Sequence, residues 1–177
     1  MRTLLLTLFC SLTVYGQDLG AAITAASPVG TKYVGYEVEM HTGHGTICSN
    51  WDNGYNIQRQ SKLMLDGPSR LRVLFRVDNG KIEKMLLASD DCTIEPGTQN
   101  LVMLNGITAE QSIRFLESRD GDSSLLAISL HKDPLATTTL IRIARDASNP
   151  KRQKKAFFWL ARSKDPAAEK FIDTVLK

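Results

Sequence analysis

From residue 32 onward the hydrophobic pattern of the chain changes period. Val34, Tyr36, Val38 and Met40 alternate with Gly35, Glu37 and Glu39, which predicts a half-buried strand. A glycine-rich loop from His41 to Tyr55 follows, then a weaker strand pattern from Ile57 to Leu65, closed by the turn Asp66-Gly67-Pro68. Between Arg70 and Ala88 two alternating runs flank Asn79-Gly80, a pair suited to the positive backbone angles of a two-residue hairpin turn. With that pair at the tip, Val77 faces Ile82, Val73 faces Leu86 and Leu71 faces Ala88, while Arg76 faces Glu83. Phe75 then lies opposite Lys84, whose stem would have to run over the ring. Leu101 to Leu104 adds a last short strand.

Beyond Gly106 the period becomes helical. Thr108-Ala109-Glu110-Gln111 has the form of a capping box, and Asp122 opens a second helix through His131 on Leu125, Leu126, Ile128 and Leu130. Asp133-Pro134, Asn149-Pro150 and Asp165-Pro166 then recur every sixteen residues. An Asp or Asn side chain accepts from free amides of a first helical turn, and proline at the first helical position loses no intrahelical bond. Each pair therefore starts a helix. In the last, Ala168, Phe171, Ile172, Val175 and Leu176 form one apolar stripe. Its outer edge needs cover, and self-association through this C-terminal helix follows if the chain itself does not supply it.

Asp133-Pro134-Leu135-Ala136 through Ile143-Ala144, Asn149-Pro150-Lys151 through Ala156-Phe157-Phe158-Trp159-Leu160, and Lys164-Asp165-Pro166-Ala167-Ala168 resemble HEAT-like repeats of the short bacterial type. The sequence departs from that pattern at Arg152-Gln153, where an apolar residue followed by Arg is usual. With Ala88-Ser89-Asp90-Asp91-Cys92 and Leu104-Asn105-Gly106, the chain also looks like exported proteins in which a small β region with a cysteine pair precedes such repeats. The resemblance implies an α+β protein: a small antiparallel β region over residues 32–104, then a short stack of HEAT-like helical hairpins, an α solenoid, over 107–177. It implies protein binding rather than a reaction.

The first residues set the compartment. Met1-Arg2, an apolar run from Leu4 to Val14, and Val14-Tyr15-Gly16-Gln17 have the form of a signal peptide over 1–16 cleaved after Gly16, placing the protein in the periplasm or secreting it. Residues 17–31 read as a flexible lead-in. No segment approaches the roughly 18 consecutive apolar residues of a membrane helix, so no integral membrane segment is expected. Cleavage removes Arg2 and takes the formal charge from +3 to +2, leaving 21 basic against 19 acidic side chains. Net charge thus favours no partner. Cys10 leaves with the signal, and the remaining pair, Cys48 and Cys92, reads as a disulfide in an oxidising compartment.

Candidate chemistry is sparse. His41, His44, Cys48 and Asp52 share one loop and carry metal-ligand groups, so a metal-dependent or hydrolytic enzyme is one alternative. Their spacing fits no zinc motif, and a disulfide would remove the thiolate. Ser49, Ser89, Ser123 and Ser124 sit in no nucleophile-elbow pattern, and Asp90-Asp91, Glu117, Asp120 and Asp122 read as turn and cap residues. No catalytic motif, cofactor or metal site is expected. The helix from Pro150 to Arg162 is more informative. At 100 degrees per residue, Gln153, Ala156, Phe157 and Leu160 share one arc, with Lys151, Lys155 and Arg162 opposite and Lys154 and Phe158 on the flank. This cationic and aromatic stripe suits an acidic protein partner or an anionic envelope polymer. Nucleic acid is excluded by export, and a purely structural envelope component remains a further alternative.

Overall fold

The computed structural model describes residues 18–42, 45–49, 56–59, 67–95 and 100–177. The predicted signal segment, His44, Asp52, Asp66 and the predicted second strand beyond Arg59 lie outside the described residues.

The region read as a flexible lead-in contains a helix, α1 (Leu19–Ala25), whose first turn is capped by Asp18 accepting from the Gly20 amide at 3.0 Å. Leu19 and Ile23, four residues apart, are buried against the core. A helix this short owes its existence to that docking, because seven residues make too few turns to be stable alone.

The main sheet has the order β4-β3-β1-β6, from β1 (Thr31–Glu39), β3 (Arg70–Asp78), β4 (Lys81–Ser89) and β6 (Leu101–Met103). A separate two-stranded sheet pairs β2 (Asn56–Arg59) with β5 (Cys92–Glu95). The sheet is mixed rather than wholly antiparallel. The chain crosses over after β4, so β6 enters on the far side of β1 and runs parallel to it, with Tyr33 opposite Leu101 and Gly35 opposite Met103.

The hairpin turns at Asn79 and Gly80, with φ of 46° and 75°, and Val77 faces Ile82 as the tip requires. A bulge between Arg76 and Val77 then shifts the rest of the register by one. Phe75 faces Met85, Val73 faces Leu87, Leu71 faces Ser89, and Arg76 faces Lys84 instead of Glu83. The straight register would have put Lys84 on the face that buries Phe75; the bulge replaces it with a methionine.

Both faces of the sheet are covered. Val34, Tyr36, Val38, Leu71, Val73 and Phe75 pack under the helices, while Tyr33, Leu74, Leu86, Ala88 and Cys92 form a second cluster behind. β1 is therefore buried continuously from Tyr33 to Tyr36 rather than on alternate residues. At Gly35 an added Cβ would lie 2.3 Å from the Leu74 Cδ2 and 3.0 Å from the Val73 carbonyl oxygen. Gly35→Ala is expected to lower stability by about 1–3 kcal/mol through overpacking, measured as the shift in urea midpoint at constant slope.

The helices are α2 (Ala109–Glu117), α3 (Asp122–Leu130), α4 (Pro134–Arg145), α5 (Pro150–Arg162) and α6 (Pro166–Val175). Thr108 and Gln111 close the capping box in both directions, at 3.1 and 2.9 Å. Asp133, Asn149 and Asp165 accept from the Leu135, Arg152 and Ala167 amides at 2.8, 3.1 and 2.8 Å. Ile113, Leu116, Ile128, Leu140, Leu160 and Phe171 join the sheet residues in one continuous core. The end of β1 is also tied directly to the α3–α4 connection, through His41 N–H to Leu130 O at 3.1 Å and Lys132 N–H to Glu39 O at 3.2 Å.

Candidate partner-binding face

α5 buries Ala156 and Leu160, and Gln153 donates to the Ala144 carbonyl at 2.9 Å. Phe157 stacks on Phe171 of α6 with ring centroids 5.6 Å apart. The opposite side then points outward by helical geometry. Lys151, Lys154, Phe158 and Arg162 are exposed and Lys155 is half-buried. Phe158 is 48% exposed, large for an aromatic ring.

This ring is held between two cations. Lys155 Nζ lies 5.6 Å from its centroid and the Arg162 guanidinium carbon 5.5 Å from it, while the edge of Trp159 abuts it at 4.8 Å. Lys155 has a second role that helical spacing alone does not reveal. Its ammonium meets Asp122 Oδ2 at 3.1 Å and ties α5 to the start of α3. Among the described residues, no carboxylate pairs with Lys151, Lys154 or Arg162.

Two neighbours of the stripe escape the helical-wheel reading. Trp159 lies between Phe158 and a groove of about 320 Å³ that is also lined by Ile47, Leu126, Leu130 and Arg162. Arg152 spans from α5 to the α2–α3 connection, donating to the Glu117 carbonyl and pairing with Asp120 at 3.3 Å. The departure from the repeat pattern at Arg152-Gln153 was its only sequence signal: both residues reach backbone carbonyls that an apolar residue would not serve. Arg162 also borders a wider cleft of about 570 Å³, shared with His41, Lys132, Lys164 and Asp165. Segments flanking the helices on both sides, from residue 41 and from residue 163, therefore meet at Arg162.

The other predicted residues are distributed as follows. Cys48 is bonded to Cys92, 44 residues away, so its sulfur is neither nucleophile nor metal ligand in the oxidised chain. The bridge anchors residues 47–49 along β4, where Ser49 N–H donates to Leu87 O at 3.1 Å and Ser89 N–H to Ile47 O at 2.8 Å. Asp90 accepts from the Ser69 amide, and buried Asp91 accepts from the Ser89 and Thr46 hydroxyls. Glu117 and Asp122 take ion pairs with Arg142 and Lys155. At the far end, α6 leaves Val175 and Leu176 exposed.

One polar cluster lies inside the core. Tyr36, Ser112 and His131 are each fully buried and joined by 2.8 Å contacts, and His131 Nδ1 is 2.8 Å from the Ala127 carbonyl. Burial lowers the His131 pKa and raises that of Tyr36. A Ser–His pair enclosed this way meets no substrate; it joins β1, α2 and the end of α3. No described helix is long and apolar enough to cross a membrane. Compared with known proteins, the chain matches no family model, no curated protein and no solved structure.

Proposed function

We propose that this protein is a non-catalytic binding module of HEAT-like helical build, exported to the periplasm or beyond, and that its protein partner docks on the outward face of α5. The observation that carries the reading is the exposed Phe158 ring set between Lys155 and Arg162, with Lys151 and Lys154 unpaired beside it. A ring exposed in the free protein has apolar area to bury on docking, and aromatic and Arg side chains are the groups that dominate interface energetics. The neighbouring cations favour an acidic partner surface and speed its encounter. A disulfide-tied fold suits an oxidising compartment.

The test changes only exposed side chains. Lys151→Glu with Lys154→Glu and Phe158→Ala leaves the Lys155–Asp122 pair and the packed face intact. The partner retained by the parent protein from an envelope extract, identified and then titrated against both proteins, is expected to bind the triple variant more weakly by at least about tenfold. Equal affinity would remove this face as the docking site.

A further inference from the structure

We infer that the cleft running from residues 45–47 past Arg162 binds an extended acidic peptide, with an apolar side chain on the Trp159 floor and carboxylates on Arg162 and Lys164. The inference deepens the reading of α5 as a partner-binding face and rests on it. Ile47, Leu126, Leu130 and Trp159 line the groove, giving it an apolar floor. The adjoining cleft supplies the charge. Among the described residues lining it, Asp165 is the one acid, and both its carboxylate oxygens are engaged, by the Thr137 hydroxyl and the Ala167 amide. Lys132 pairs with Glu39 at 3.8 Å, between exposed side chains. Arg162 and Lys164 have no carboxylate partner among the described residues.

The uncompensated charge at the mouth is thus positive, and Arg162 stands where the apolar groove meets the charged cleft. Its planar fork matches a carboxylate in two parallel bonds. An anionic polymer without apolar side chains would use the cations and leave the groove floor unfilled. A peptide that alternates acidic and apolar residues uses both, because successive side chains of an extended chain point to opposite sides.

The probe is a set of three synthetic nonapeptides: alternating Asp and Leu, alternating Asn and Leu, and alternating Asp and Ser, with inorganic polyphosphate as a fourth ligand. Trp51→Phe leaves Trp159 as the sole tryptophan, since the chain has two, and its emission reports occupancy. Calorimetry on the unsubstituted protein reads the same titration. The Asp/Leu peptide is expected to bind saturably, and the Asn/Leu and Asp/Ser peptides on the order of tenfold more weakly. Ser129→Phe, which fills the groove from α3 without adding charge, should abolish the signal while far-UV circular dichroism stays unchanged, and Lys164→Glu should weaken it. Equal binding of Asp/Leu, Asp/Ser and polyphosphate makes the cleft a generic polyanion surface and overturns the inference. So does an unaltered titration in the folded Ser129→Phe variant, or no saturable binding of the Asp/Leu peptide. If the peptides fail but the captured partner is still lost on changing Lys151, Lys154 and Phe158, the α5 face stands and the cleft alone is wrong.

Discussion

Reduction of the Cys48–Cys92 bridge, or its replacement by Cys48→Ser with Cys92→Ser, is expected to lower stability by about 4 kcal/mol. That figure is the loop-closure entropy regained by an unfolded chain freed of a cross-link spanning 44 residues. Against the roughly 5–15 kcal/mol that separates folded from unfolded states of ordinary domains, the loss is large. The native side adds to it. The bridge holds residues 47–49 on β4, and Thr46 just before them donates to Asp91, a carboxylate only 5% exposed. If the segment lifts, buried Asp91 loses the Thr46 hydroxyl, and taking a donor from a buried carboxylate is destabilising. Urea unfolding with and without reductant measures the effect as a lower midpoint, with a somewhat steeper slope because the uncrosslinked unfolded chain exposes more surface. Matching midpoints would show that the cross-link leaves the unfolded ensemble unconstrained. The reduced protein should also bind the Asp/Leu peptide less well, since Ile47 is part of the groove's apolar lining.

What the sequence made legible is what acts over a few residues. The Asp-Pro and Asn-Pro pairs start α4, α5 and α6 because each cap reaches an amide two or three positions on, and the Thr108–Gln111 box closes for the same reason. Asn79-Gly80 fixed the hairpin tip through its own backbone angles. Its register beyond the first pair was not local. The bulge at Arg76/Val77 answers a demand from the helices, which need Phe75 and Val73 on their side without Lys84 beside them. The parallel entry of β6 was hidden likewise, since three residues carry no sign of which strand they will join. α1 was missed because its stability comes from Leu19 and Ile23 docking on distant residues. On α5 the helical period separated the inner arc from the outer stripe correctly. It said nothing about which neighbours flank the stripe, so Lys155 bridging to Asp122, Arg152 reaching Glu117 and Trp159 lining a groove became visible only once α3 lay beside α5.

The buried Tyr36–Ser112–His131 chain carries the other large expectation. The Ala127 carbonyl only accepts, so His131 Nδ1 must hold the proton and Nε2 must accept from Ser112. The Ser112 oxygen then accepts from the Tyr36 hydroxyl, and every polar group in the chain is satisfied with His131 neutral. Protonating Nε2 makes it a donor toward Ser112, whose hydroxyl must turn to Tyr36 and leave one of the two hydroxyl hydrogens without an acceptor. Asp133 and the Ala127 carbonyl favour the charged ring, but burial outweighs both and the pKa falls below its usual 6.5. The sign follows directly. Below about pH 6.5 the unfolded chain takes up a proton that folded His131 refuses, so stability is full above that value and declines as pH falls toward the folded-state pKa, by at most about 1.4 kcal/mol per pH unit. His131→Leu removes this component of the slope, so the difference between the two profiles isolates the buried ring. His131→Ala is expected to lose about 3 kcal/mol at pH 7.5 through the cavity and the stranded Ser112 and Tyr36 hydroxyls. Tyr36→Phe and Ser112→Ala, measured singly and with His131→Ala, should be strongly non-additive, because each removal breaks the same chain. Parallel pH profiles for the parent protein and His131→Leu between pH 5 and 7.5 would mean that the ring takes up its proton inside the fold as it does in the unfolded chain, with Nε2 then donating to Ser112 while Nδ1 still donates to the Ala127 carbonyl.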